Sequence, residues 1–185
     1  MRRAFLDANV LFSAALRDVL LWLAFRDVCQ VRFSALVHEE WMRAVLKQRP
    51  HTKLESLENT RDLMNKNISG GLVEGFEPLI ESLSLPDSND RHVLAAARHS
   101  KCDTLVTWNR SDFPAASAHP IRVQTPDEFL LELFEANRKD VLASLRAQRQ
   151  NLRKPPVEVA DFLVNLRTQN LTRFASALEP FQNQL

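Results

Sequence analysis

Cysteine is almost missing from this chain of 185 residues: Cys29 and Cys102 stand far apart, with no C-x-x-C and no Cys/His ligand spacing. That excludes a disulfide framework and a zinc site of the usual pattern, and a reducing cytoplasm is the expected setting. Long apolar runs are missing too. The longest, Val19 to Phe25, falls far short of the ~20 residues a membrane helix needs. The opening MRRAFLDANVLFSAAL begins basic and apolar, but Asp7 and Asn9 interrupt it, so no signal peptide is expected. A charge excess is also lacking. With a formal net charge of +1, any nucleic-acid contact must come from a local basic patch. The three glycines all fall within Gly70 to Gly75, and there is no internal repeat or low-complexity tract.

What is present is an apolar content of 45%, enough for a real core in one compact domain with an appendage. Arg3 to Leu6 reads as a short strand ending at Asp7. Val10 to Phe25 has helical spacing, with a break expected around Arg17 and Asp18. Cys29 to Phe33 is a second strand, and Ser34 caps a helix over about residues 35–47. Pro50 opens another helical stretch to about Asn67. The glycines, with Pro78 and Pro86, mark a loop-rich middle around a short helix at Leu79 to Leu83.

LPDSNDRHVLAAARHS then starts with a cap-like Asp87 and continues as an amphipathic helix. Thr104 to Thr107 follows as a buried-type strand. Ile121 to Val123 is a last strand, and a single helix is expected from Pro126 to about Gln150, broken by Arg153 to Pro156. Beyond it, Val157 to Leu171 and Arg173 to Leu178 read as further helices. The alternation of strands and helices predicts an α/β fold with a parallel sheet, with the C-terminal strand ends along the edge where such sheets bind ligands.

Carboxylates recur at that edge. Asp7 follows the first strand and either faces a ligand or caps the next helix. Glu40 lies on or beside the buried stripe of its helix, so it either pairs with Arg43 or binds something else positive, whereas Glu39 is an ordinary exposed acid. Asp87 and Asp90 have the spacing of a capping box, which the helix dipole alone would favour. Asp112, just past a buried strand in TWNRSDF, either serves a site or closes a polar turn, and Asn109 is the other candidate there. Asp7, Glu40, Asp90 and Asp112 gathered at one edge would repel one another unless divalent cations neutralised them. Oxygen donors without a Cys or His cluster select a hard ion, Mg²⁺ or Mn²⁺, suited to phosphoryl chemistry.

The order DANVLF, a helix with Glu40, LPDSNDRHVLAAA, TLVTWNRSDFP and PDEFL resembles the PIN-domain superfamily, and within it the VapC-like toxins of bacterial toxin–antitoxin pairs. The likeness covers about residues 1–130. It implies a PIN-like parallel sheet flanked by helices over residues 1–125, followed by a C-terminal helical extension over residues 126–185. The activity it implies is hydrolysis of RNA phosphodiesters by a metal-activated water attacking in line.

On the resemblance, Asp7, Glu40, Asp90 and Asp112 are the catalytic acids, with Asp7 and Asp90 the principal metal ligands. Asn9, Ser88, Thr107 and Asn109 are supporting polar groups. Arg91 and Arg110 are expected to position phosphates, as are Arg17 and Arg43, although each is by default a solvated residue. His92 is assigned no chemistry. The implied partners are an RNA of the tRNA or rRNA kind, a cognate antitoxin and a second copy of the chain, in the cytoplasm and away from membranes. The extension either packs on the sheet, forms a dimer surface or receives an antitoxin peptide. The alternatives are a catalytically inactive PIN-like module that binds RNA or a partner, and a DNA-cutting nuclease. A haloacid-dehalogenase-like phosphatase needs D-x-D after the first strand, and Asn9 stands at its third position.

Overall fold

Arg3–Leu6 forms strand β1, with Ala4, Phe5 and Leu6 fully buried, as expected for a strand covered on both faces. The computed structural model describes residues 1–114, 121–152 and 156–185. Four more strands, β2 (Gln30–Ser34), β3 (Leu72–Val73), β4 (Thr104–Val106) and β5 (Arg122–Gln124), pair with it in one sheet. All pairings are parallel and the order is β3-β2-β1-β4-β5. The α/β expectation holds.

Helices α1 (Ala8–Leu11), α2 (Ala14–Phe25), α3 (Ala35–Gln48), α4 (Leu54–Asn67), α5 (Glu77–Ile80) and α6 (Arg91–His99) connect the first four strands. After β5 come α7 (Pro126–Ala136), α8 (Arg138–Asn151), α9 (Val159–Thr168) and α10 (Thr172–Leu178). None of the described helices is long and apolar enough to cross a membrane.

Three local expectations change. The break in the first helical region falls at Phe12 and Ser13, because the Ser13 hydroxyl accepts from Leu16 N and starts α2. Arg17 then lies inside α2, buried, with its guanidinium 4.7 Å from the Trp41 ring centroid and Nη1 donating to Leu11 O at 2.7 Å. The glycine-rich middle contains β3, which was read as loop. Gly70 takes a left-handed φ of 61°, and a Cβ at Gly71 would lie 2.8 Å from the Phe33 ring, so this close approach to β2 needs glycine. The helix from Pro126 is two helices. Asn137 (φ −147°, ψ 62°) separates them, and its amide donates to Asp140 at 2.7 Å. The apolar spacing runs on across this break, from Phe134 to Val141, which hid it. Residues 153–155 of the expected break after Gln150 lie outside the described residues.

The C-terminal helices share the core of the sheet: Phe129, Leu130, Leu145, Phe162 and Phe174 belong to the same buried cluster as Phe5 and Leu20. Buried Asp127 on α7 accepts from Arg173 N (3.1 Å) and Phe174 N (2.8 Å), capping α10 from 46 residues away. His38 is also buried. The Trp41 indole N–H donates to its Nδ1 (2.9 Å) and its Nε2 meets Asn65 Oδ1 (3.1 Å), an arrangement that only neutral imidazole satisfies. Burial first, and the cations Arg61 and Arg17 next, push His38 down to about 4 from 6.5, against the Asn65 hydrogen bond.

Two outcomes are expected. Asp127→Ala should lower unfolding stability by about 2 kcal/mol in urea titration, and an unchanged midpoint would contradict the capping role. Between pH 6.5 and 4 the unfolded chain protonates His38 while the folded chain does not. Stability is therefore lost as pH falls through that window, on the order of 3 kcal/mol from this group, with no effect above it. The difference in pH slope between wild type and His38→Gln measures that share, and equal slopes would contradict it.

Candidate active site

The strand order reverses between β1 and β4, the kind of switch point beside which open α/β sheets bind ligands. Leu6 pairs with Val106 and Asp7 N donates to Val106 O at 3.1 Å, so Asp7 and Thr107 emerge side by side at the strand ends. The Thr107 hydroxyl donates to Asp7 Oδ2 (2.6 Å) and accepts from Asn9 Nδ2 (3.0 Å) and Asn109 N (3.0 Å). Asn9 Nδ2 also donates to Asp7 Oδ2 (2.8 Å), and Asn9 Oδ1 accepts from Trp108 N (3.1 Å). Asp7 Oδ1 takes Ala8 N (2.6 Å), capping α1. Capping and facing the site are therefore not rivals for Asp7. These donors occupy three of its roughly four lone-pair positions and leave one on Oδ1.

Burial raises the Asp7 carboxyl above the usual range, and Glu40 adds to this. The Thr107 and Ala8 hydrogen bonds and His92 work the other way. Asp90 ends a 3₁₀ turn, Ser88–Asp90, that leads into α6, and Asp87 caps that turn by accepting from Asn89 N. The Asp90 carboxyl is pushed up to about 6, by burial first and then by the charges of Asp7, Asp87, Asp112 and Glu40. Glu40 comes from α3, and its Oε1 meets His92 Nε2 at 2.9 Å. No hydrogen bond or ion pair joins it to Arg43 among the described residues.

Asp112 is half-buried and accepts from the Ser111 hydroxyl at 3.3 Å, while exposed Asn109 is anchored through its backbone. Ser88 is exposed and makes no hydrogen bond to these acids among the described residues. Arg91 Nε braces Ser88 O at 3.0 Å, and exposed Arg110 pairs with Glu128 at 2.9 Å. Arg43 is exposed, and Arg17 is buried against Leu11 O and the Trp41 ring.

Among the described residues no three acid, His or Cys side chains stand arranged to hold one ion. In charge and donor type the edge nevertheless fits a hard divalent cation. Glu40 raises the Asp7 carboxyl and four acids raise that of Asp90, all the acid donors are oxygen, and Asp7 keeps an open lone pair. The role of His92 was not legible beforehand, since it occupies the buried face of α6 among Val93, Ala95 and Ala96. The sign that an acid beside an apolar face needs a partner was there in Glu40; which partner is a tertiary fact.

The family model for the PIN domain matches residues 3–111, and that for the VapC50 C-terminal domain matches residues 126–180. The chain is 34% identical over 76 residues to a Mycobacterium tuberculosis protein named "Putative ribonuclease VapC50", a match covering 38% of this chain and 44% of that protein. The matched segment thus spans less than half the length of that relative. No solved structure matches the chain.

Thr107→Val removes the group that binds Asp7, Asn9 and Asn109 together. The Asp7 carboxyl carbon, followed by NMR, should titrate at higher pH than in wild type, and stability should fall by about 1–3 kcal/mol. An unshifted Asp7 titration in a folded variant would contradict the account of how Asp7 is held.

Proposed function

The chain belongs to the PIN-domain family, and from that premise we propose that it is a Mg²⁺- or Mn²⁺-dependent endoribonuclease, the toxin of a VapBC-like toxin–antitoxin pair. The observation that supports the reading is Asp7 at the switch point, fixed by Thr107 and Asn9, near enough to Asp90 that its charge, after burial, helps push that carboxyl to about 6. Asp7 and Asp90 would hold the cation as principal ligands, with Glu40 and either Asp112 or Asn109 completing the set. A bound divalent cation supplies the positive charge that acidifies the attacking water and offsets charge building on the scissile phosphate.

The chain's own groups do the rest. Thr107 and Ala8 donate to Asp7 and favour its ionised form against burial. Asn9 ties it to the β4 end through Trp108 N. Arg91 and Arg110, one residue after Asp90 and two before Asp112, would take substrate phosphates and set register along the RNA without reading bases.

In this reading residues 1–125 form the nuclease unit. Residues 126–185 form a helical extension that shapes the choice of RNA, of the tRNA or rRNA kind, or receives the antitoxin. The protein works as a homodimer in the cytoplasm. One observation favours a second reading, a catalytically inactive PIN-like module that binds RNA or a partner: the acids as they stand do not close on one point.

The test is incubation of purified protein with total bacterial RNA, with Mg²⁺ or Mn²⁺ and with EDTA. Wild type should give discrete fragments that EDTA abolishes, and Asp7→Asn and Asp90→Asn should lose at least about a hundredfold in rate while keeping the fold. Of Asp112→Ala and Asn109→Ala, the variant with the larger loss identifies the completing group. Cleavage undiminished in Asp7→Asn contradicts the site, and no cleavage by folded wild type with metal favours the binding module.

A further inference from the structure

Glu40 and His92 are 52 residues apart in sequence, on α3 and α6, yet their side chains meet at 2.9 Å. A carboxylate only accepts, so His92 Nε2 carries the proton and donates it to Glu40 Oε1. Two further observations make this contact more than packing. His92 is 8% exposed, and its buried Nδ1 has no hydrogen-bond partner among the described residues, so none of these competes with Glu40 for the orientation of the ring. The Glu40 side chain is 36% exposed and makes no other hydrogen bond among the described residues. Without the imidazole it would be a half-solvated side chain free to sample several rotamers.

We propose that His92 is the positioning residue for Glu40, fixing its carboxylate through Oε1 so that Glu40 would serve as a ligand of a bound cation. This rests on the metal-dependent reading of the site given above. One helix start then performs two tasks: Asp90 supplies a ligand at the entry to α6, and His92, two residues on, orients a ligand borne by α3. Hydrogen-bond partners of this kind restrict a ligand to its productive orientation, and losing one costs about 10–100-fold in metal affinity.

The experiment is a Mn²⁺ titration of the full chain followed by electron paramagnetic resonance, read beside circular dichroism and cleavage rates. His92→Leu should weaken Mn²⁺ binding by about 10–100-fold with the fold retained. His92→Gln, whose side-chain amide donates in place of Nε2–H, should recover most of that loss. In a Glu40→Gln background His92→Leu should cost nothing further, which a purely packing role would not produce.

Should His92→Leu not fold, His92→Gln carries the test alone. Affinity near wild type supports the proposal, and a loss as large as that of Glu40→Gln in a folded His92→Gln overturns it. Wild-type Mn²⁺ affinity in His92→Leu, with binding abolished in Asp90→Asn, overturns the proposal and leaves the nuclease reading standing. Absence of Mn²⁺ binding by wild type overturns both.

Discussion

The hydrogen bond from Thr107 to Asp7 joins the two strands between which the sheet reverses its order, and the rest of the site hangs on it. Asp7 is almost fully buried, a setting that favours the neutral acid. A charge there needs donors, and β1 and β4 supply them because their register brings residue 7 level with residue 107. The same hydroxyl accepts from Asn9 and from the Asn109 backbone, so the turn that carries Asn109 towards Asp112 is anchored to the first acid. A shift in the β1–β4 register would break the Thr107 contacts to Asp7 and Asn9 together.

Asp90 is treated differently. Among the described residues no donor set comparable to that around Asp7 surrounds it, and burial first, then four other acids, push its carboxyl to about 6. Asp7 thus has hydrogen bonds that oppose the effect of its burial, and Asp90 lies among like charges. A divalent cation would relieve that second condition, which is why the chemistry of the edge points to metal-assisted phosphodiester hydrolysis. Glu40 is half-exposed and tied to His92, and in the proposed reading it would join Asp7 and Asp90 in holding a cation.

Much of this was legible in the sequence, and for definable reasons. A strand followed at once by an acid, as in Arg3 to Asp7, places that acid at the ligand edge whatever the topology, and buried-type runs imply a parallel sheet. Asn9 and Thr107 were implied as supporting groups by the resemblance, and both hydrogen-bond to Asp7. Features that depend on a tertiary partner were not legible. β3 is two residues long and exists because Gly71 lets the chain approach Phe33. Arg17 looked like surface but finds the Trp41 ring and the Leu11 carbonyl inside α2. The split at Asn137 was masked by unbroken apolar spacing, and His92 by its apolar neighbours on α6.

In the proposed reading Asp7 and Asp90 together hold a divalent cation at the β1–β4 switch point. The most direct measurement is anomalous scattering from crystals of the protein grown with saturating Mn²⁺. The account expects a peak in contact with Asp7 and Asp90, with Glu40 beside it. A clean edge with no peak there, or manganese bound only elsewhere on the chain, would contradict it.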